Sequence, residues 1–329
     1  MSAKLDPPLR KKKLTLKHSI VFLHGINGSI GNTFTKTSRN RRRSITWPRD
    51  LLEHDLTKDG ILQARIMGFE FDADVFSFFG QTGRETIASI ANTLLAALTN
   101  ARREDYQRER PLILFGHSMG GLIIKRALSR AWDEDDPTSG DVFRRRRLIA
   151  VSTRAIIFAG TPHRGASIAH LASWGTSWLG AFGVATSPEN IRQLQIGSTT
   201  TQLLREEFLV FRRRIRDTRS QMQPPKSDIT IYTFCESLPM DVGGMYMQIV
   251  TRDSAIIDGQ NEIVDSIARR NHQTMVKFES REEAGYQQYL GAMKDVIDEL
   301  SMELEVGIKN TLDNLLVNTS LNRNTPSLM

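Results

Sequence analysis

A single cysteine, Cys235, stands among 329 residues. One thiol makes no internal disulfide framework, so nothing in the cysteine usage points to an oxidising compartment. Cys235 closes an apolar run and reads as a small buried residue rather than a nucleophile. No uncharged apolar run reaches the roughly 20 residues of a membrane-spanning helix. The start of the chain carries Pro7, Pro8 and a Lys-rich stretch with Asp6, and no apolar region follows it, which excludes a secretory signal. Histidine, cysteine and carboxylates never gather at ligand spacing, so neither a metal nor an organic cofactor is expected. These absences lead to the expectation of an intracellular, cytoplasmic protein, with association to a mitochondrial or endoplasmic-reticulum membrane left open.

Charge is unbalanced: 44 Lys and Arg against 37 Asp and Glu give a formal net charge of +7. Much of the excess lies in the runs Arg10 to Lys13, Arg41 to Arg43, Arg144 to Arg147 and Arg212 to Arg214. Without interleaved aromatics or zinc spacing these runs give no reason to expect nucleic acid. They read as solvated faces, with an anionic membrane surface as the alternative.

Length and a hydrophobic content of 40% fit one soluble domain with appendages. Residues 1–17 read as a basic disordered arm, 18–300 as the domain, and 301–329 as a polar tail or linker. Within the domain, short apolar runs alternate with helical patterns. His18 to Leu23, Leu62 to Phe69, Pro111 to Phe115, Ala155 to Ala159 and Ile229 to Cys235 read as strands, and Met245 to Val250 as the last one. Helices are expected from Trp47-Pro48 to about Leu56, from Glu85 to about Arg102, after Gly121, and from about Arg281 past Leu300. The alternation implies an α/β fold, a mainly parallel sheet with helices on both faces. Residues 166–223 interrupt it as a helical insertion.

Gly116-His117-Ser118-Met119-Gly120 fits G-x-S-x-G and sits between a buried strand and an amphipathic helix. The nucleophile stands there on a strained turn, so bulky side chains two residues to either side are excluded. The backbone N–H of Met119, at the positive end of the helix, can meet a developing oxyanion. A second donor is expected in His24-Gly25-Ile26-Asn27-Gly28 after the first strand, from the N–H of Ile26. In the α/β-hydrolase-type fold that this motif and its context imply, the order Ser, acid, His along the chain leaves His272 as the base: four of the seven histidines precede Ser118, and His163 and His170 come too early for an acid to intervene. Glu236, at the end of the strand Ile229 to Cys235, is the favoured acid, and Asp253 is its rival.

Several segments together resemble the lipase-like domain of serine-active-site-containing proteins, especially fungal relatives at the front of NLR-type receptors. They are Val21 to Gly25, Trp47 to Leu52, Ala64 to Ile66, Phe71 to Ala73, Gly116 to Gly121, Gly160 to Gly165, Phe234 to Glu236, Asn271-His272 and Lys277-Phe278. The resemblance covers about 18–290 and implies a hydrolase related to lipases and to enzymes that remodel phospholipids or lipid anchors. It also marks His163 as part of a group signature with a structural or substrate-side role. Two positions depart from the group: Asn271 stands where it carries aspartate, and Cys235 where it carries an aromatic.

Residues 166–186 contain no Asp, Glu, Lys or Arg, and Trp174 and Trp178 share a helical face. This reads either as a lid meeting acyl chains or a membrane surface, with Arg212 to Arg216 near anionic head groups, or as a core helix. The leading expectation is therefore an esterase or lipase working through an acyl-enzyme on Ser118, with an acyl-ester or lipid substrate and peripheral membrane contact. The alternatives are a signalling or scaffold module on the same fold, and acyl transfer at the same site.

Overall fold

The structure is a computed structural model and describes residues 16–25, 28–38, 43–57, 62–71, 83–133, 140–164, 188–223, 225–242, 245–258 and 261–323. Six strands form one sheet: β1 (Leu16–Leu23), β4 (Leu62–Phe69), β5 (Leu112–His117), β6 (Thr153–Ala159), β7 (Thr230–Glu236) and β10 (Glu262–Ile267). Their order is β10-β7-β6-β5-β1-β4, and every neighbouring pair is parallel. Small antiparallel pairs, β2 (Thr35–Thr37) with β3 (Ser44–Thr46) and β8 (Met240–Val242) with β9 (Met245–Met247), lie outside it.

The central strands are apolar along their whole length because both faces are covered. All residues of β5 and β6 are buried, as are those of β7 after Thr230. On one face pack α3 (Gly83–Ala101), α5 (Met119–Asp133), α6 (Gly140–Ser152) and α7 (Pro188–Ser220), contributing Ile87, Leu95, Leu122, Ile123, Leu128, Ile149, Phe208 and Phe211 to one core cluster. On the other lies α9 (Ala284–Arg323) with Tyr286, Tyr289, Met293 and Val296. Trp47 is fully buried in this second core; its indole N–H donates to the Val276 carbonyl at 2.8 Å, and its ring stacks on Tyr289. The early Trp-Pro segment is thereby tied to the chain four residues beyond His272. The shorter helices are α1 (Ile30–Phe34), α2 (Glu53–Thr57), α4 (Asp105–Arg108) and α8 (Arg252–Ala255).

Two expectations are corrected. Met245 to Val250 is not the last strand of the sheet: β9 pairs antiparallel with β8. The sheet ends instead with β10, an edge strand whose alternating, half-exposed side chains carry no continuous apolar signal. The polar stretch after residue 300 is helical as far as Arg323, since α9 continues that far; Asn, Thr and Ser weaken a helix without ending it. Within the run Arg212 to Arg214, Arg213 and Arg214 are exposed as a solvated face would be, but Arg212 is not. Arg212 is buried beside Asp228 and Asp258, and just beyond the run Arg216 pairs with Asp228. The expected arm at 1–17 is described only at Leu16 and Lys17, which open β1. Of the insertion, 166–187 with Trp174 and Trp178 lies outside the described residues. Its remainder is α7, which packs Leu204, Phe208, Phe211 and Ile215 into the core, each contributing about 1.5–3 kcal/mol by burial.

Candidate active site

Parallel strands bring their carboxyl ends to one edge of the sheet, where side chains from several strands converge. Ser118 follows β5 there, Gly160 follows β6, Glu236 ends β7, and His272 follows β10. Ser118 has φ +53, a left-handed conformation that strains any residue with a side chain. The strain is held from outside: the Ser118 N–H donates to the Ala159 carbonyl at 2.9 Å, and its own carbonyl accepts from the Gly121 N–H at 3.1 Å. A Cβ on Gly116 would sit 2.6 Å from the Gly121 nitrogen, and one on Gly120 2.6 Å from the His24 carbonyl oxygen. The turn therefore requires its flanking glycines, as the motif predicts. Met119 opens α5 directly behind the serine.

The His24-Gly25 loop lies against this turn. A Cβ on Gly25 would come within 2.8 Å of the Ser118 Cβ and 3.4 Å of its Oγ. His24 is fully buried; its Nδ1–H donates to the Gly25 carbonyl at 2.8 Å and its Nε2 accepts from the Phe71 N–H at 3.3 Å, with the two rings stacked. Burial holds this imidazole below its ordinary pKa, consistent with a neutral ring that braces the loop. Ile26, the expected second oxyanion donor, lies outside the described residues.

His272 is buried beside the same turn. Gly160, the residue after the carbonyl that fixes Ser118, would place a Cβ 2.9 Å from the Nδ1 and Cε1 of His272. Glu236 faces that ring: its Oε2 lies 3.9 Å from His272 Nδ1, and neither atom has a hydrogen-bond partner among the described residues. The other carboxylate oxygen, Oε1, accepts from the Val250 N–H at 2.5 Å, which fixes the orientation of Glu236. Burial drives the pair apart in opposite senses. Desolvation lifts the Glu236 carboxyl to about 7 and keeps His272 well below its ordinary value. Separation at 3.9 Å is longer than a hydrogen bond, as catalytic contacts often are before substrate binds. Asp253, the rival acid, is exposed in the first turn of α8.

Two further residues, His117 and Asn271, complete the assembly. His117, the variable position of G-x-S-x-G, donates from Nε2 to the His272 carbonyl at 3.0 Å, with ring centroids 5.0 Å apart. It thus joins the Ser118 turn to the loop that carries His272, and burial pushes its pKa down to about 4. Asn271 explains its departure from the resemblance: its Oδ1 accepts from the Thr274 N–H at 3.0 Å and the Thr274 hydroxyl at 2.8 Å, building the turn that carries His272. His163 is buried, its ring edge-on to Phe158 at 4.5 Å. Cys235 is buried, and burial raises its thiol to about 11, far from a thiolate nucleophile. Among the described residues, no three His, Cys, Asp or Glu side chains could hold a metal, and no helix is long and apolar enough to cross a membrane.

No family model matches the chain. It is 26% identical over 307 residues to Protein SERAC1 of Bos taurus and 24% identical over 307 residues to Protein SERAC1 of Homo sapiens, each alignment covering 89% of this chain. The chain spans 41% of the length of these curated relatives. Among solved structures it is similar to phospholipase PlaB from Legionella pneumophila, with a TM-score of 0.53 at 14% identity, over 92% of this chain and 64% of that one. At that identity the likeness is one of architecture: the chain has the α/β-hydrolase fold.

Proposed function

We propose that this chain is a serine hydrolase that cleaves an acyl ester through an acyl-enzyme. The observation that carries the reading is Ser118 in a left-handed turn between a buried strand and a helix, beside a buried histidine and carboxylate that face each other. Ser118 Oγ attacks the ester carbonyl, and His272 Nε2 takes the hydroxyl proton. Glu236, ionised, holds the proton on His272 Nδ1 and offsets the charge of the imidazolium. The oxyanion forms against the backbone N–H groups of Met119 and Ile26. Collapse expels the alcohol, which leaves with the proton from His272. Water, deprotonated by the same histidine, then releases the acid and restores Ser118. His117 holds the base in place through its carbonyl. Its low pKa keeps it neutral, so it adds no positive charge beside the imidazolium.

A lipid ester is the substrate class this reading favours. Its support is the sequence resemblance to lipase-like domains and the charge-free segment 166–186 with Trp174 and Trp178. That resemblance also supplies the setting of NLR-type receptors. The test is a serine-directed fluorophosphonate. It should label the wild type at Ser118 alone, and Ser118→Ala should abolish labelling without unfolding the chain. A wild type that is folded and unlabelled, or a Ser118→Ala protein that still labels, refutes the proposal.

A further inference from the structure

A group of buried donors with no assigned role lies one helical turn from the nucleophile. Gly121 and Lys125 are four residues apart and share a face of α5. A Cβ on Gly121 would sit 2.2 Å from Thr161 Oγ1 and 2.8 Å from Phe158 Cδ1, so this face rests on those two residues. Phe158 in turn meets the His163 ring edge-on at 4.5 Å. Lys125 and His163 are fully buried and Thr161 nearly so. Lys125 Nζ, Thr161 Oγ1 and both ring nitrogens of His163 have no hydrogen-bond partner among the described residues.

The electrostatics around them are one-sided. Among the described residues, the charged groups acting on His163 are Lys125, Arg205 and Arg164, all cationic. Those acting on Lys125 are Arg205 and a single carboxylate, Glu262. That carboxylate is engaged elsewhere, accepting from the Thr233 hydroxyl and the N–H groups of Ile257 and Asp258. Arg205 and Arg164 donate from Nε to the carbonyls of Ile257 and Ile256. Residues 165–187, which follow His163-Arg164 in the chain, contain no Asp or Glu and bring no counter-charge. Desolvation accordingly pulls the Lys125 ammonium down to about 7. A buried ammonium without a partner is costly, and a hydroxyl and an imidazole left unpaired beside it add to that cost.

We propose that Lys125, Thr161 and His163 form a binding site for a phosphate or carboxylate oxyanion, distinct from the oxyanion hole at Ser118. Three types of donor are buried in this region without partners among the described residues: an ammonium, a hydroxyl and a neutral imidazole N–H. Their acceptor is a small anion with several oxygens, carried on the ester substrate or bound free. Arg205 and Arg164 supply the field that draws it in.

The probe is inorganic phosphate, titrated at constant ionic strength with chloride as the reference, and the readout is the melting temperature of the full chain. Wild type should show a saturable rise. Lys125→Met, which keeps the length of the side chain and removes its charge, should weaken the apparent affinity at least tenfold. Thr161→Val, an isosteric change, should weaken it less, and it carries the test if Lys125→Met does not fold. A phosphate response no larger than that of chloride, or one that survives in Lys125→Met, overturns the site. Two short esters, alike except for a terminal phosphate, then locate the anion. A lower KM for the phosphate ester that vanishes in Lys125→Met places it on the substrate; equal KM values with the thermal shift intact place it free. The substrate arm rests on the proposed hydrolase reading. Fluorophosphonate labelling of wild type and both variants separates failure of that reading from failure of this site.

Discussion

Glu236→Gln should yield a protein that is more stable and far less active than the wild type. The carboxyl is 3% exposed, and burial raises it from 4.5 to about 7. A group whose folded pKa lies above its unfolded one holds an extra proton in the folded state between those values. Stability from this group therefore falls as pH rises from about 4.5 to about 7, and the full cost persists above that. At about 1.4 kcal/mol per unit, the buried charge costs on the order of 3 kcal/mol at pH 8. Glutamine removes it while its Oε1 keeps the Val250 N–H. Thermal melts of the two proteins from pH 4 to pH 8 should coincide at the acid end and diverge by several °C at the alkaline end. Comparison of the two isolates Glu236 from His18, His117, His163 and His272, whose lowered pKa values destabilise the fold in acid and act in both proteins. Activity goes the other way. An amide N–H facing His272 Nδ1 favours the tautomer with its proton on Nε2, which cannot accept the serine proton. The analogous aspartate-to-asparagine change in a serine protease costs about 10⁴ in kcat. Turnover of a short-chain ester by Glu236→Gln should fall by a comparable order, whereas Asp253→Asn, exposed on α8, should be near normal. A Glu236→Gln protein that melts lower than wild type at pH 8, or that keeps its turnover, refutes this assignment.

Gly25→Ala should lower ester turnover by up to about 10²-fold with little change in folding, because the new Cβ at 2.8 Å displaces Ser118; an active Gly25→Ala enzyme would show that the loop yields instead. His117→Leu removes the donor to the His272 carbonyl and should cost about 1–3 kcal/mol of stability together with at least tenfold in kcat. His117→Gln, which can place an N–H near the same point, should recover most of both, and equal loss in the two variants would count against a positioning role. Replacing Trp174 and Trp178 together by Ala should reduce liposome binding and long-chain ester turnover while short-chain hydrolysis persists. Parallel loss of both activities with a lower melting temperature would place the two rings in the core.

What was legible in the sequence follows from which forces leave a local trace. β5, β6 and β7 are buried on both faces, so each is a run of apolar residues that can be read without its partners. The turn at Ser118 was legible for a different reason. Backbones approach so closely there that only glycine fits at 116, 120 and 121, and steric exclusion leaves its mark on composition. His272 and Glu236 could be placed by chain order alone, because parallel strands deliver their ends to one edge whatever the connecting loops do. β10 left no such trace: as an edge strand it has one neighbour and half-exposed side chains, so Glu262-Ile263-Val264-Asp265-Ser266-Ile267 reads as neither strand nor helix. Lys125 was hidden in the opposite way, as one cation on an otherwise apolar helix face, where a solvated side chain is the ordinary reading. Only burial in the fold, on the face of α5 where Gly121 meets Thr161 and Phe158, turns it into a buried charge, and packing is not local in sequence. Residues tied to backbone conformation and strand order are thus recoverable from the chain, whereas those whose chemistry comes from burial by distant segments are not. Glu236 belongs to both groups: its place at the end of β7 was legible, but its raised pKa depends on segments that meet only in the fold.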